Sequence, residues 1–212
     1  MVFPSLVEYV LAVCLVLVPG KDHRELAGAI AAAVEHGVPE ALFRNDQDET
    51  VEDVLLPARS KSAALMAAIS FRESGLQSRK MGDCPGLAPG DQTCSVQKGG
   101  TSFGAFQLSL PFKHKGEVTG LTGVQLLEDP ASQAREAIHI LYYSVRSCPD
   151  FPVAVYAHGR DPRVACMDLR SQRISNDRMW LAKKSRKDAA KLIPSMERHP
   201  PEWWGATQVT TR

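Results

Sequence analysis

The chain has 212 residues, enough to bury one large core or two small ones, and its 44% hydrophobic and 23% charged residues are ordinary for a globular protein. Lys and Arg number 25 against 24 Asp and Glu, a formal net charge of +1, so the overall charge points to neither a nucleic-acid nor a membrane partner.

The first predicted element is a buried helix over Leu6 to Val18, ended by Pro19-Gly20. Its text, "LVEYVLAVCLVLVPG", invites comparison with an export signal, but no Lys or Arg precedes it, Glu8 interrupts it and no small-x-small cleavage site follows. The stretch is also shorter than the about 20 apolar residues that span a bilayer. An atypical export signal stays open as the alternative. A second helix follows in "DHRELAGAIAAAVEHG", with Asp22 as N-cap, Glu25 as its capping-box partner and Gly37 as the stop. The acidic stretch from Asn45 to Asp53 reads as loop.

A third helix is predicted from Pro57 to Ser74, closed by Gly75. Residues 77–104, rich in Gly, Pro, Asp and Ser, form a long loop, and such loops in compact domains are functional or cross-linked. The short segment "FGAFQLSL" then leads into Pro111. Pro130 to Ser147 is the next helix, with Ala134, Ala137, Ile138, Leu141 and Tyr142 at core spacing. Residues 148–166 read as loop around an apolar turn, "VAVYAHG", and Asp168 or Ser171 starts a last helix running toward Pro194. Arg178, Lys183, Lys184, Arg186, Lys187 and Lys191 give this helix a basic side, which suits an anionic surface or is simply a solvated face. A proline-broken tail carries Trp203 and Trp204, which cap the core, engage sugar or dock a partner. The fold class is therefore mainly α, with room for a short β-hairpin only in the long loop.

Of five cysteines, Cys84 and Cys94 lie close together in the Gly/Pro-rich loop, Cys148 and Cys166 bracket another, and Cys14 sits in an apolar run. The simplest partition is two short-range disulfides and one buried thiol, implying an oxidising workplace. Zinc held by the four loop cysteines ranks below it, because neither pair has C-x2-4-C spacing.

The residue that singles out a site is Glu73. Leu65, Ile69 and Glu73 are four apart and share an apolar face. Partial burial and the negative end of the helix dipole both disfavour an ionised carboxylate there, the condition for a glutamic acid that donates a proton near neutral pH. Arg72 is adjacent in sequence and faces elsewhere, so it need not neutralise the acid. The competing reading is a glutamate exposed at a helix end.

"AAISFRESGL", followed in order by "GD", "SFGAFQ" and "VYAHG", resembles the lysozyme-like superfamily of lytic transglycosylases and goose-type lysozymes over roughly residues 58 to 180. The resemblance implies a lysozyme-like catalytic domain over 58–196, N-terminal helices over 1–57 packed on it, and a tail over 197–212. It implies Glu73 as catalytic acid, and Ser102 and Gln107 lining a cleft beside the sugar. By the same resemblance, Phe103 and Phe106 would pack the short segment, with Phe103 also counted at the substrate, and Gly104 would let the backbone pass close to the glycan. Tyr156 would match the family tyrosine that approaches the catalytic glutamate. Ala157 and His158 stand where the family commonly has Asn-Ala, so His158 either substitutes for the Asn or is a solvated loop histidine.

In that family the acid protonates the glycosidic oxygen between N-acetylmuramic acid and N-acetylglucosamine. The glutamate then activates the muramoyl 6-hydroxyl, giving a 1,6-anhydro sugar, or water is activated instead. Inverting hydrolysis generally uses a second carboxylate about 6.5–9.5 Å away. Asp83, in "MGDC", and Asp91 are candidates for it, each otherwise a turn residue, and a Cys84–Cys94 bridge would pin Asp83 beside the cleft. The resulting expectation is a lytic transglycosylase, with a goose-type-like muramidase as runner-up. A non-catalytic wall-binding module and a helical partner-binding protein are the rival classes. No cofactor or metal is implied. The partners implied are peptidoglycan glycan strands and virion or cell-envelope components, with no nucleic acid, for an extracytoplasmic monomer.

Overall fold

The computed structural model describes residues 5–36, 59–82, 101–109, 113–114, 117–118, 121–158 and 161–198. Through these the chain runs α1 (Leu6–Leu17), α2 (Arg24–Glu35), α3 (Ser60–Ser74), β1 (Met81–Gly82), β2 (Ser102–Phe103), β3 (Leu108–Ser109), β4 (Lys113–His114), β5 (Glu117–Val118), α4 (Gly123–Glu128), α5 (Pro130–Ser147), α6 (Ala154–His158), α7 (Pro162–Met167) and α8 (Leu169–Arg198). The chain is mainly helical. Gly37, the acidic stretch 45–53, Pro57, Asp83, Cys84, Asp91, Cys94, Trp203 and Trp204 lie outside the described residues.

Helix α1 opens with a capping box. Ser5 Oγ accepts from the Glu8 N–H at 3.3 Å, and Glu8 Oε2 accepts from the Ser5 N–H at 2.8 Å. Glu8 thus starts the apolar helix rather than interrupting it. Tyr9 to Cys14 are all buried, and a helix apolar on every side must be enclosed on every side. Contacts with α2, α3 and α8 enclose it. Cys14 is a free thiol within it, pushed up to about 12 by burial. Among the described residues no helix is long and apolar enough to cross a membrane.

The capping box expected for α2 does not form. His23 is the N-cap, with no side-chain cap bond. Asp22 accepts from the Arg24 N–H at 3.1 Å, while the Arg24 guanidinium sits 2.6 Å from its other oxygen, and these bonds hold the Asp22 carboxyl down to about 2. Arg24 has taken the acceptor that the box requires.

Helix α3 is the central element, buried from Ser62 to Ser70 and packed most extensively on α8. Four alanines (63, 64, 67 and 68) keep its surface low enough for close approach. Gly75 ends it in the left-handed region at φ 68°, as the sequence predicts. Its N–H bonds the Phe71 carbonyl at 2.8 Å, and the Leu76 N–H bonds the Ser70 carbonyl at 3.4 Å.

In place of one hairpin the described residues form two small antiparallel sheets. One has the order β1-β2-β3, with Met81 opposite Phe103, Gly82 opposite Ser102, and Phe103 opposite Leu108. The other pairs β4 with β5. Three short helices also stand where the sequence reads as loop or nothing. Thr122 and Gln125 form a capping box that starts α4, Asp161 caps α7, and α6 takes up Ala154–His158 of the "VAVYAHG" stretch. Helix α5 begins at Pro130 with Asp129 as N-cap. Asp168 accepts from both the N–H and the hydroxyl of Ser171 at the start of α8, whose backbone continues past Pro194 to Arg198.

One core joins α1, α2, α3, α5 and α8 with Phe103, Phe106 and Leu108 of the small sheet. A second, small cluster surrounds the Cys148–Cys166 disulfide, whose Cα atoms are 5.6 Å apart and which ties the end of α5 to α7. That bond removes two of the four cysteines from the zinc alternative.

Candidate active site

The end of α3 is built around Ser74. Its hydroxyl is buried, donates to the Ser70 carbonyl at 3.0 Å and accepts from the Gln77 N–H at 3.0 Å, locking the turn that follows. Glu73 comes one residue earlier, at the rim of the face that Leu65 and Ile69 bury. Its side chain keeps 27% of its exposure, so it is neither a core residue nor a free surface one.

The acid does have a cation, although Arg72 is not it. Arg72 Nη2 turns to Asp177 Oδ1 at 2.7 Å, consistent with adjacent helical side chains facing apart. Instead Arg178, on α8 and 105 residues away, brings Nη2 to 3.1 Å from Glu73 Oε1. Its other terminal nitrogen lies 3.0 Å from Asp177 Oδ2. The four charges therefore alternate in a row: Arg72, Asp177, Arg178, Glu73. Arg178 is the most enclosed of them, 14% exposed, and its Nε is buried without a partner. The expectation of a carboxylate held apolar and unpaired is corrected on this point.

The same geometry revises the basic side of α8. Arg178 and the buried Arg186 point inward, whereas Lys184, Lys187 and Lys191 are exposed and Lys184 lies 5.3 Å over the Trp180 ring.

Tyr156 reaches this site from α6. Its hydroxyl donates to the Phe106 carbonyl at 2.7 Å. Burial pushes its phenol well above the ordinary value, the charge of Glu73 pushes it further, and Arg178 opposes both. Tyr156 is thus within electrostatic reach of the acid and its arginine. Ser144 on α5 fixes α6 by accepting from the N–H groups of Val155 and Tyr156 at 3.1 and 3.4 Å.

The β2–β3 turn lies on the other side of that tyrosine bond. Ser102 Oγ donates to Gln107 Oε1 at 3.0 Å, and Gln107 Nε2 donates to the carbonyls of Gly104 at 2.9 Å and Lys80 at 3.2 Å. A Cβ on Gly82 would fall 2.2 Å from Gln107 Oε1, so a larger residue there would push the Gln107 amide off these bonds. Ser102 and Gln107 are brought together, but the bonds they make brace the turn. Phe103 is 3% exposed with its ring against Gly123, so it packs the segment and offers no open face to a sugar. The room left by Gly104, at φ 77°, is filled by the Gln133 amide, 2.3 Å from where a Cβ would stand, and not by a glycan.

Gln133 is a residue that the sequence reading passes over. It is fully buried, accepts from the Ala105 N–H at 2.7 Å, and donates to the carbonyls of Ser78, at 2.8 Å, and Leu126. Its position four and eight residues before Ala137 and Leu141 places an amide on the apolar face of α5, which was the available signal. His158 ends α6 half-buried, with Nδ1 enclosed and unpartnered. It adds to the Ser171 bonds that hold the Asp168 carboxyl below its usual range. It is therefore not a plainly solvated loop histidine. Asp83 and Asp91, the two candidate second carboxylates, and the Cys84–Cys94 pair fall outside the described residues. Among those described, no group of three or more His, Cys, Asp or Glu could hold a metal ion.

The chain matches no protein-family model, no curated protein and no solved structure.

Proposed function

We propose that the chain is a lysozyme-like enzyme that cleaves the β-1,4 bond between N-acetylmuramic acid and N-acetylglucosamine in peptidoglycan, with Glu73 as acid and then base. The observation that carries this reading is the meeting of three separated motifs around one carboxylate. Glu73 keeps an exposed rim, Tyr156 lies within its field, and the Tyr156 hydroxyl is bonded to the turn holding Ser102 and Gln107. In the step proposed, protonated Glu73 gives its proton to the glycosidic oxygen as the C1–O bond breaks. The carboxylate then takes the proton of the muramoyl 6-hydroxyl as that oxygen bonds to C1, closing a 1,6-anhydro ring. Atoms balance without water, which makes the enzyme a lytic transglycosylase. A protonated carboxyl has no charge to pair, so donation goes with release of Arg178 toward Asp177. The Cys148–Cys166 bridge supports a workplace outside the cytoplasm.

The Arg178–Glu73 pair also favours a second reading, a wall-binding module in which Glu73 only holds α8 to α3. Clearing of purified cell walls separates the two. The enzyme reading expects clearing by wild type and loss of at least about a hundredfold in Glu73→Gln, the scale of a lost general acid. Equal clearing by both proteins sinks Glu73, and binding without clearing leaves the module. Mass spectrometry of the digest then expects anhydromuramyl ends; reducing ends alone move the reaction to Asp83-assisted hydrolysis.

A further inference from the structure

We propose that Asp177 and Arg178 act as a positioning pair, dividing one guanidinium between two carboxylates and thereby setting the orientation of Glu73. The inference deepens the cleavage reading and rests on it.

The argument starts from geometry. The two terminal nitrogens of Arg178 are committed to different acids, Nη1 to Asp177 Oδ2 at 3.0 Å and Nη2 to Glu73 Oε1 at 3.1 Å. A guanidinium is a rigid planar fork, so a pull on one nitrogen turns the other. Asp177 is in turn held by Arg72 at 2.7 Å, which fixes the far end of the row. Arg178 is the least exposed member, and its buried Nε has no partner, so the side chain is held at Glu73 by the two carboxylates rather than by bonds from Nε. A buried donor left unmatched carries a cost, and retaining it here suits an arginine placed for its charge. Among the described residues, Arg178 of α8 pairs directly with Glu73, Asp177 of α8 and Arg72 of α3 follow it in the row without touching Glu73, and Tyr156 of α6 feels the Glu73 charge.

The two members act on Glu73 through one fork. Arg178 holds Glu73 Oε1, and Asp177 holds the other arm and so fixes the angle at which the fork meets the acid. Keeping the charge while losing the fork should therefore cost activity, whereas a row that only holds α8 to α3 would lose stability without that loss.

The test uses the full chain and the variants Arg178→Gln, Asp177→Asn and Arg178→Lys. In wall-clearing assays at one pH, Arg178→Gln and Arg178→Lys are each expected to lower kcat about tenfold or more while KM holds, because the lysine keeps the charge and loses the fork. Asp177→Asn frees one arm of the fork and should lower kcat severalfold. The Glu73 carboxyl carbon resonance, recorded at that pH in each folded variant, should differ from wild type in all three without reference to activity. Full activity in Arg178→Lys, or an unmoved resonance in Arg178→Gln, overturns the pair. If wild type fails to clear walls, the cleavage reading falls, and the resonance alone still decides whether the pair positions Glu73.

Discussion

Arg178 Nη2 lies 3.1 Å from Glu73 Oε1, and this contact joins the end of α3 to α8 across 105 residues of sequence. Because Arg178 is largely enclosed while Arg72 and Asp177 are each more than a third exposed, the links of the charge row differ in worth. Arg178→Ala leaves Glu73 and Asp177 facing each other without their cation and is expected to cost about 1–2 kcal/mol. Arg72→Ala breaks an exposed pair and should cost about 0.5 kcal/mol or less. Urea denaturation of both variants checks the ranking, and an equal or reversed order would mean that the row is anchored from its exposed end.

Gly104 and Gln133 make a second test, because two roles for Gly104 predict different losses. The backbone there is left-handed, and a Cβ would overlap the Gln133 amide. Gly104→Ala should therefore destabilise the fold by about 1–3 kcal/mol. Gln133→Leu leaves the Ala105 N–H and two carbonyls without their buried partner and should cost about 3 kcal/mol or more. A Gly104→Ala protein of normal stability that no longer engages walls would instead return Gly104 to the glycan.

The alkaline behaviour of Tyr156 follows from the direction of its shift. Its phenol is raised above the ordinary value of about 10, so the folded state keeps a proton that the unfolded state releases. The stability this contributes is complete below pH about 10 and is lost as pH rises through the folded value. Tyr156→Phe removes the bond to the Phe106 carbonyl, at about 1 kcal/mol. The advantage of wild type over Tyr156→Phe should be constant below pH about 10 and shrink above it. Thermal melts across that range measure this, together with tyrosinate absorbance; ionisation of Tyr156 at the ordinary pH in the folded protein contradicts it.

What could be read from sequence was what local chemistry decides. Gly75 as a helix stop and Pro130 as a helix start depend on residues within one turn and stand as read, and of Asp168 and Ser171, both open as the start of α8, the structure takes Asp168. Glu8 was legible too, but as half of a box with Ser5 rather than as a break, since a carboxylate in an apolar run has both meanings. Helices α4, α6 and α7 have six residues or fewer, under two turns, too few for a period to show. The strands have two residues each, too short for alternation. At the candidate site, Glu73 and Tyr156 were reached through motifs, whereas Arg178 and Gln133 act across the fold. Nothing near Arg178 in sequence says that it faces α3 rather than solvent.

The Cys148–Cys166 bridge closes the segment that carries α6, so its loss should be felt at Tyr156 and His158 as well as in global stability. With its two cysteines 18 positions apart in sequence, removing it as Cys148→Ala/Cys166→Ala is expected to cost about 3 kcal/mol. Two serines hold the same segment independently: Ser144 accepts from Val155 and Tyr156, and Ser175 accepts from the Val153 N–H at 3.0 Å. The segment should therefore loosen without detaching. Hydrogen exchange is expected to speed up by about tenfold or more at the amides of α7, which the bridge ties to the end of α5. It should rise less at Val153, Val155 and Tyr156, where the serine bonds remain. Uniform acceleration across 148–166 would mean that the bridge alone positions α6, and with it the tyrosine beside Glu73.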